Sequence, residues 1–271
     1  PEWNWDEPNQ EGSPALMSEI AQMVRVLDRT LTERGLTTKI LVTESGNINY
    51  LVQSGTPLKG RDNQIETLFG PASPHAIVKL AHVAPVVAGH SYWTTALDGG
   101  LFEARQALRE KLDAGHLGYW QTEVCIMKND REIGGGGKKD LTMKTALYVA
   151  RVIHYDLCVA EASAWHWWLA MTNSDYKDGL IYVSPHSDKT DGEISDSKLM
   201  WTLGNFSRFI RPGAVRVEVR APQSDVNDPK GLMVSAYLNE AERQVTCVMV
   251  NYSERTQAIR LAVEGARVRA F

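Results

Sequence analysis

The sequence predicts an α/β protein with parallel strands, followed by a smaller antiparallel β unit. Up to Gly213, apolar runs of strand length alternate with segments of helical periodicity. Such alternation is typical of parallel strands with helices packed outside them. From Ala214 the pattern changes to short runs of alternating apolar and polar residues between polar turns, which indicates an antiparallel sandwich. We therefore expect one domain over residues 1–213 and a second over residues 214–271.

The composition excludes several classes of partner. The formal net charge of −4 provides no basic surface for nucleic acid, and no apolar run is long enough to span a bilayer. The three cysteines, Cys125, Cys158 and Cys247, are odd in number and far apart. We therefore expect free thiols rather than a disulfide framework or a metal site.

The first part of the chain begins with a polar, aromatic loop over residues 1–12. A helix is predicted from Ser13, its N-cap, to the stop signal at Gly35. The strand Lys39–Glu44 follows and ends in a carboxylate, and a further helix is predicted near His75–Ala81.

The strand–helix alternation then continues to the predicted domain boundary. The expected elements are strand Val83–Trp93, helix Leu101–Ala114, strand Leu117–Cys125, a helix capped by Asp140, strand Ala162–Ala170, strand Leu180–Val183 and helix Ser197–Phe209. Only four strands of the parallel type precede Gly213, whereas a closed (β/α) barrel needs eight. Either the sheet is open, or the chain is the second half of a barrel.

The unusual side chains fall at or near the carboxyl ends of these strands, which in a barrel form the active-site face. They are Glu44, His90, Tyr92, Trp93, Glu123, Trp165 and Trp167. Tryptophan faces suit the flat C–H faces of pyranose rings, and carboxylates supply the acid, base or nucleophile of acetal cleavage. Each residue also has a structural alternative: core packing for the tryptophans, a hydrogen-bonded core histidine, or an ion-paired glutamate.

The glycine-rich stretch Gly134–Gly137 is followed by two lysines. The spacing of a phosphate-binding loop fails, because Glu132 stands at the first glycine position and Lys139 at the Ser/Thr position. We therefore expect a flexible loop. No motif typical of metalloproteases, zinc sites or serine hydrolases occurs in the sequence.

Four stretches together resemble glycoside hydrolase family 30, in particular the branch that includes endo-β-1,6-galactanases. They are PEWNW…NQEGSP, YWQTEVC, AWHWWLAM…DYKDGLIYVS and LGNFSRFIRPGAVRVEV. The resemblance implies a retaining (β/α)8 barrel with a side β-sandwich. This chain would hold barrel strands five to eight and part of the sandwich, without the N-terminal half of the barrel.

The resemblance also implies roles for individual residues. Glu123, at the end of strand seven, matches the family's nucleophile. The acid/base Glu of the family's Asn-Glu-Pro motif would lie immediately before Pro1, so that Trp3 and Trp5 belong to the Trp-x-Trp run that follows it. Glu7 is a weaker substitute, because no strand precedes it and the tryptophans lie before it. No cofactor is implied, and the family resemblance favours a secreted or periplasmic location.

Two hypotheses follow for the activity. The first is a retaining β-glycoside hydrolase acting on a plant-type polysaccharide or oligosaccharide. Its first candidate substrate is a β-1,6-galactan, and a xylan or a β-glucoside is the next candidate. In this hypothesis Tyr92 and His90 orient Glu123 or bind the sugar, while Trp93, Trp165 and Trp167 stack on sugar rings. The second hypothesis is a carbohydrate-binding protein without turnover. We expect residues 1–271 alone to be inactive.

Overall fold

A four-stranded parallel sheet forms the centre of the computed structural model, which describes residues 14–128, 130–220 and 228–262. Its strands lie side by side in chain order: β1 (Ile40–Ser45), β2 (Val83–His90), β3 (Gly118–Glu123) and β4 (Ala164–Trp165). All three strand pairs are parallel. The predicted α/β class and parallel sheet are confirmed, and within the described residues β1 and β4 are the edge strands.

Helix α1 (Met17–Glu33) precedes β1, and further helices connect the successive strands of this sheet. They are α2 (Ile48–Val52), α3 (Gln64–Phe69), α4 (Glu103–Gly115) and α5 (Met143–Cys158). Apolar residues of α1 to α4 pack with β1, β2 and β3 in one core cluster, which includes the fully buried Leu51, Leu68 and Leu108. Burying one such side chain stabilises the folded protein by about 1.5–3 kcal/mol, and these contributions hold the helices on the sheet.

Two helix predictions in this region were wrong in detail. The N-cap of α1 is Leu16, whose amide donates to Glu19 Oε2 over 2.7 Å, and Ser13 lies outside the described residues. Turns, not a helix, occupy His75–Ala81. The short helix α2 was not predicted. It forms because its apolar side chains are buried under β2 and α4, a tertiary effect that five residues of sequence do not reveal.

The tryptophan-rich stretch forms less strand than predicted, because only Ala164 and Trp165 pair with β3. A small three-stranded sheet follows, composed of β5 (Met171–Thr172), β6 (Ile181–Pro185) and β7 (Gly192–Asp196). The predicted last helix is confirmed as α6 (Lys198–Ser207). Its N-cap Ser197 accepts a hydrogen bond from the amide of Met200 over 3.2 Å.

The C-terminal part forms an antiparallel sheet of β8 (Val215–Val217), β9 (Leu232–Asn239) and β10 (Gln244–Asn251). Met233, Tyr237 and Val250 of this sheet share a core with apolar residues of α5 and α6. The last alternating run of the sequence begins at Ala258, but its described residues, 258–262, form no strand, and Ile259 and Leu261 are exposed. The sandwich and the domain boundary at residue 213 stay predictions.

None of the helices in the described ranges is long and apolar enough to cross a membrane.

Candidate active site

The carboxyl ends of β1, β2 and β3 meet at one edge of the parallel sheet. His90 is aligned with Glu123 across the β2–β3 pair, and Ser45 is aligned with Gly89 across the β1–β2 pair. Residues at the ends of neighbouring parallel strands therefore lie together, as the sequence predicted for Glu44, His90 and Glu123.

Glu123 ends β3, and its side chain is 19% exposed. Tyr92 Oη donates a hydrogen bond of 2.8 Å to Glu123 Oε1. Burial raises the pKa of the Tyr92 phenol, and Cys125 and the Glu123 carboxylate raise it further. Tyr92 therefore stays protonated, so it is a permanent donor to this carboxylate.

His90 lies between the two carboxylates of the site and is 3% exposed. Its Nε2 is 3.0 Å from Glu44 Oε2, and its Nδ1 is 4.0 Å from Glu123 Oε1. The buried ring is hydrogen-bonded to Glu44 through Nε2 and lies close to Glu123 on its other side, so His90 separates the two carboxylates.

Glu44 is the second carboxylate of the cluster, with 39% of its side chain exposed. Thr122, next to Glu123 on β3, donates to Glu44 Oε2 over 2.7 Å. Burial raises the pKa of Glu44, but the hydrogen bonds from His90 and Thr122 outweigh it and leave the pKa below its ordinary value. Glu44 is therefore an ionised acceptor facing the open side of the cluster.

Thr122 was missed by the sequence analysis. Its position next to Glu123, on the strand end itself, is the signal that could have indicated it, because residues at neighbouring strand ends meet.

Glu44 and Trp93, which packs against the core around Tyr92, have left-handed backbone conformations, with φ of +61° and +60°. Such a conformation costs a non-glycine residue of order 1–3 kcal/mol and persists only where surrounding contacts impose it. Residues strained in this way are typical of binding and catalytic sites.

Aromatic side chains continue the surface beside Tyr92. Trp165 and Trp167 are stacked, with ring centroids 6.2 Å apart and an interplanar angle of 15°. Trp165 Nε1 donates to Asp156 Oδ2, and Trp167 Nε1 donates to the carbonyl oxygen of Asp178, each over 2.8 Å. Both indole N–H groups are therefore committed to the protein, while the rings pack partly buried against Tyr92 and its neighbours.

A buried ion pair lies beneath these rings. Arg105 Nε is 2.7 Å from Asp156 Oδ1, and both side chains are 0% exposed. Asp156 also accepts hydrogen bonds from Ser91 and from Trp165. The aspartate thus links α5, the turn after β2 and the tryptophan of β4, and it fixes Trp165 from below.

Some predicted site residues lie outside the described residues, namely Trp3, Trp5 and Glu7. Across the described part of the chain, no group of three or more His, Cys, Asp or Glu side chains could hold a metal ion.

The fold and the strand-end cluster define a class: an α/β protein that presents two carboxylates and a set of aromatic rings at the ends of parallel strands. Residues 1–182 match the family model described as O-glycosyl hydrolase family 30. The chain therefore belongs to family 30 of the O-glycosyl hydrolases, as its sequence motifs indicated.

Two solved structures share this fold. A conserved exported protein from Bacteroides fragilis is 31% identical, with a TM-score of 0.83, and the match covers 95% of this chain and 54% of that one. The catalytic domain of the family 30 xylanase C from Talaromyces cellulolyticus is 18% identical, with a TM-score of 0.54, over 87% of this chain and 44% of that one. The chain spans about half the length of these proteins, and the second likeness concerns the fold alone.

Proposed function

We propose that the protein is a retaining β-glycoside hydrolase with Glu123 as its nucleophile. The observation that carries this proposal is the 2.8 Å hydrogen bond from Tyr92 Oη to Glu123 Oε1 at the carboxyl end of β3. A carboxylate nucleophile must hold its direction, and a buried donor that keeps its proton fixes that direction. Membership of a family of glycosyl hydrolases supports the same chemistry.

The proposed reaction has two steps. Glu123 attacks the anomeric carbon while the bond to the leaving oxygen breaks, and a general acid gives that oxygen its proton. Water then attacks the same carbon of the covalent glycosyl-enzyme, gives a proton to the former acid and releases the Glu123 carboxylate. The two displacements leave the anomeric configuration unchanged, and no cofactor takes part.

Glu44 does not suit the role of general acid. A general acid must carry a proton at the working pH, which requires a raised pKa. The pKa of Glu44 is lowered instead, because hydrogen bonds from His90 and Thr122 outweigh the effect of its burial. We propose instead that the acid is a glutamate N-terminal to Pro1, carried by a strand that completes the sheet. The described residues form four parallel strands, against the eight of a closed barrel, which supports this proposal.

The remaining cluster residues are proposed to bind the sugar. Glu44 would accept hydrogen bonds from sugar hydroxyls through its exposed side, with His90 holding it in place. The rings of Trp93, Trp165 and Trp167 would contact the C–H faces of the pyranose units. Trp3 and Trp5, which lie outside the described residues, are proposed to bind sugar on the sequence resemblance alone. Within the described residues no lysine or arginine pairs with Glu44 or Glu123, which suits a neutral carbohydrate.

The first proposed substrate is a galactan with β-1,6 linkages, on the sequence resemblance. A xylan is the second candidate, because the Talaromyces cellulolyticus structure is that of a xylanase, and a β-glucoside is the third. The test is a panel of linkage-defined oligosaccharides given to the full-length protein, with the product anomers followed by NMR from the first minute. We expect one linkage to be cleaved with the β-anomer appearing first. Initial formation of the α-anomer would refute the retaining mechanism, and binding without any cleavage would favour the non-catalytic carbohydrate-binding protein.

We also propose that residues 1–271 form half of a barrel and part of a side sandwich, divided near residue 213, in a protein that is exported. The name of the Bacteroides fragilis relative supports export. The edge strands β1 and β4 would pair with barrel strands that this chain does not contain, and unpaired edges promote association. Residues 1–271 alone should therefore self-associate and lack activity, and coexpression with the upstream strands should restore solubility and activity together. A monodisperse, active monomer of residues 1–271 would contradict this proposal.

A further inference from the structure

The glycine-rich loop is joined to the segment that follows β5. The amide of Lys177 donates to the carbonyl oxygen of Gly136 over 2.7 Å. Gly137 and Tyr176 form an antiparallel bridge. The expected flexible loop is thus hydrogen-bonded along its length to residues 175–177, which the sequence pattern did not indicate.

The side chain of Lys177 closes this junction. It is 9% exposed, and its Nζ donates to the carbonyl oxygens of Gly135 (2.8 Å) and Gly137 (2.9 Å). An ammonium group that has lost most of its hydration is stable only with such acceptors, and removing it would leave two carbonyl groups without their donor. Lys177 therefore clamps the glycine loop against its own segment.

The clamp determines where Tyr176 lies. The Tyr176 ring passes so close to Gly136 that a β-carbon at Gly136 would collide with it. Tyr176 also packs against the small core cluster of Tyr92, Val124 and Cys125. It therefore contacts both the glycine loop and the cluster that contains the donor to Glu123.

The same segment also fixes a tryptophan of the site. Asp178, the neighbour of Lys177, accepts the 2.8 Å hydrogen bond from Trp167 Nε1 through its carbonyl oxygen. A shift of residues 175–178 would therefore move both Tyr176 and Trp167, while Tyr92 and Glu123 are carried by other elements, the end of β2 and β3.

We propose that Lys177 is a positioning residue for carbohydrate binding, which acts by clamping the glycine loop so that Tyr176 and Trp167 form one wall of the substrate cleft. The inference rests on the proposed function, and it adds Tyr176 to the surface that contacts a neutral pyranose ring. Because Lys177 contacts neither carboxylate, its loss should weaken substrate binding rather than the chemical step.

The test compares variants of the full-length protein on a substrate that the wild type hydrolyses. Lys177→Met keeps the length of the side chain but removes the donor, and we expect KM to rise about tenfold, the scale of one lost aromatic contact, with kcat within about threefold of wild type. Lys177→Arg keeps donors for both carbonyl groups and should restore KM to within about threefold. Lys138→Met, at an exposed lysine of the same loop, is the matched control and should leave KM unchanged.

Gly136→Ala provides an independent perturbation if Lys177→Met fails to fold. Its β-carbon would collide with the Tyr176 ring and with the carbonyl oxygen of Ile126, while the donors of Lys177 are kept. The wall should therefore shift and KM should rise here as well. The inference would be overturned if Lys177→Met or Gly136→Ala had the KM of the wild type and only a lower melting temperature. It would also be overturned if KM were as high in Lys177→Arg as in Lys177→Met. A wild-type protein that cleaves no glycoside would refute the proposed function instead, which separates the two failures.

Discussion

Replacing Tyr92 with phenylalanine isolates the hydroxyl group that binds the proposed nucleophile. The hydroxyl donates to Glu123 Oε1 over 2.8 Å, and the residue is 3% exposed, so the ring should keep its place when one oxygen is removed. A hydrogen bond to a charged group contributes about 1.5–3 kcal/mol. Since about 1.4 kcal/mol corresponds to a tenfold change in rate, we expect kcat/KM of Tyr92→Phe to fall about ten- to a hundredfold.

The assay is steady-state hydrolysis by the full-length protein, with urea denaturation to check stability. The matched control is Tyr148→Phe. Tyr148 is also buried and also donates to a carboxylate, that of Asp130, but it is not in the cluster around Glu123. The control should lose stability and keep kcat/KM within about threefold per folded molecule. Equal kcat/KM values for Tyr92→Phe and the wild type would refute the assignment of Tyr92 as the donor that positions Glu123.

Three further perturbations test the surroundings of the site. Arg105→Met leaves the carboxylate of Asp156 buried without its cation, so the free energy of unfolding by urea should fall by about 3–5 kcal/mol. Arg109→Met, at a partly exposed ion pair, should lower the free energy of unfolding by less than about 1 kcal/mol. Equal losses of stability in Arg105→Met and Arg109→Met would contradict the account. Glu44→Gln should raise KM, and a kcat loss of about a thousandfold or more would instead identify Glu44 as the general acid. Burial lowers the pKa of His154 to about 4, so the unfolded chain binds a proton first as pH falls. Relative to His154→Gln, the wild type should therefore lose roughly 3 kcal/mol of stability between pH 7 and pH 4. An unfolding free energy that changes with pH in the same way in both proteins would contradict this prediction.

The strand-end cluster could be predicted because two local properties coincide in the sequence. Apolar runs of strand length end in polar side chains at Glu44, His90 and Glu123, and parallel strands bring such ends to one edge without any knowledge of distant contacts. The structure places His90 3.0 Å from Glu44 and 4.0 Å from Glu123. Tyr92, two residues beyond the end of β2, was predicted on the same grounds and contacts Glu123.

The elements that were missed depend on tertiary contacts. The short helix α2 has too few residues to be stable by itself, and it forms where Ile48 and Leu51 become buried. Lys177 gave no sequence signal at all, since its two acceptors are backbone carbonyl groups some 40 residues away along the chain. The strand expected over Ala162–Ala170 is short because pairing with β3 stops at Trp165.

The central claim is that Glu123 forms the covalent bond to the sugar. A 2-deoxy-2-fluoro glycoside with a good leaving group slows the breakdown of a glycosyl-enzyme, so the intermediate of a retaining enzyme accumulates. The most direct measurement is therefore mass spectrometry of the full-length protein after this treatment, followed by peptide mapping. We expect one added fluorosugar per molecule, located on Glu123 within the peptide of β3, and no label in Glu123→Gln. A label on another carboxylate, or turnover of the reagent without any label on Glu123, would contradict the account.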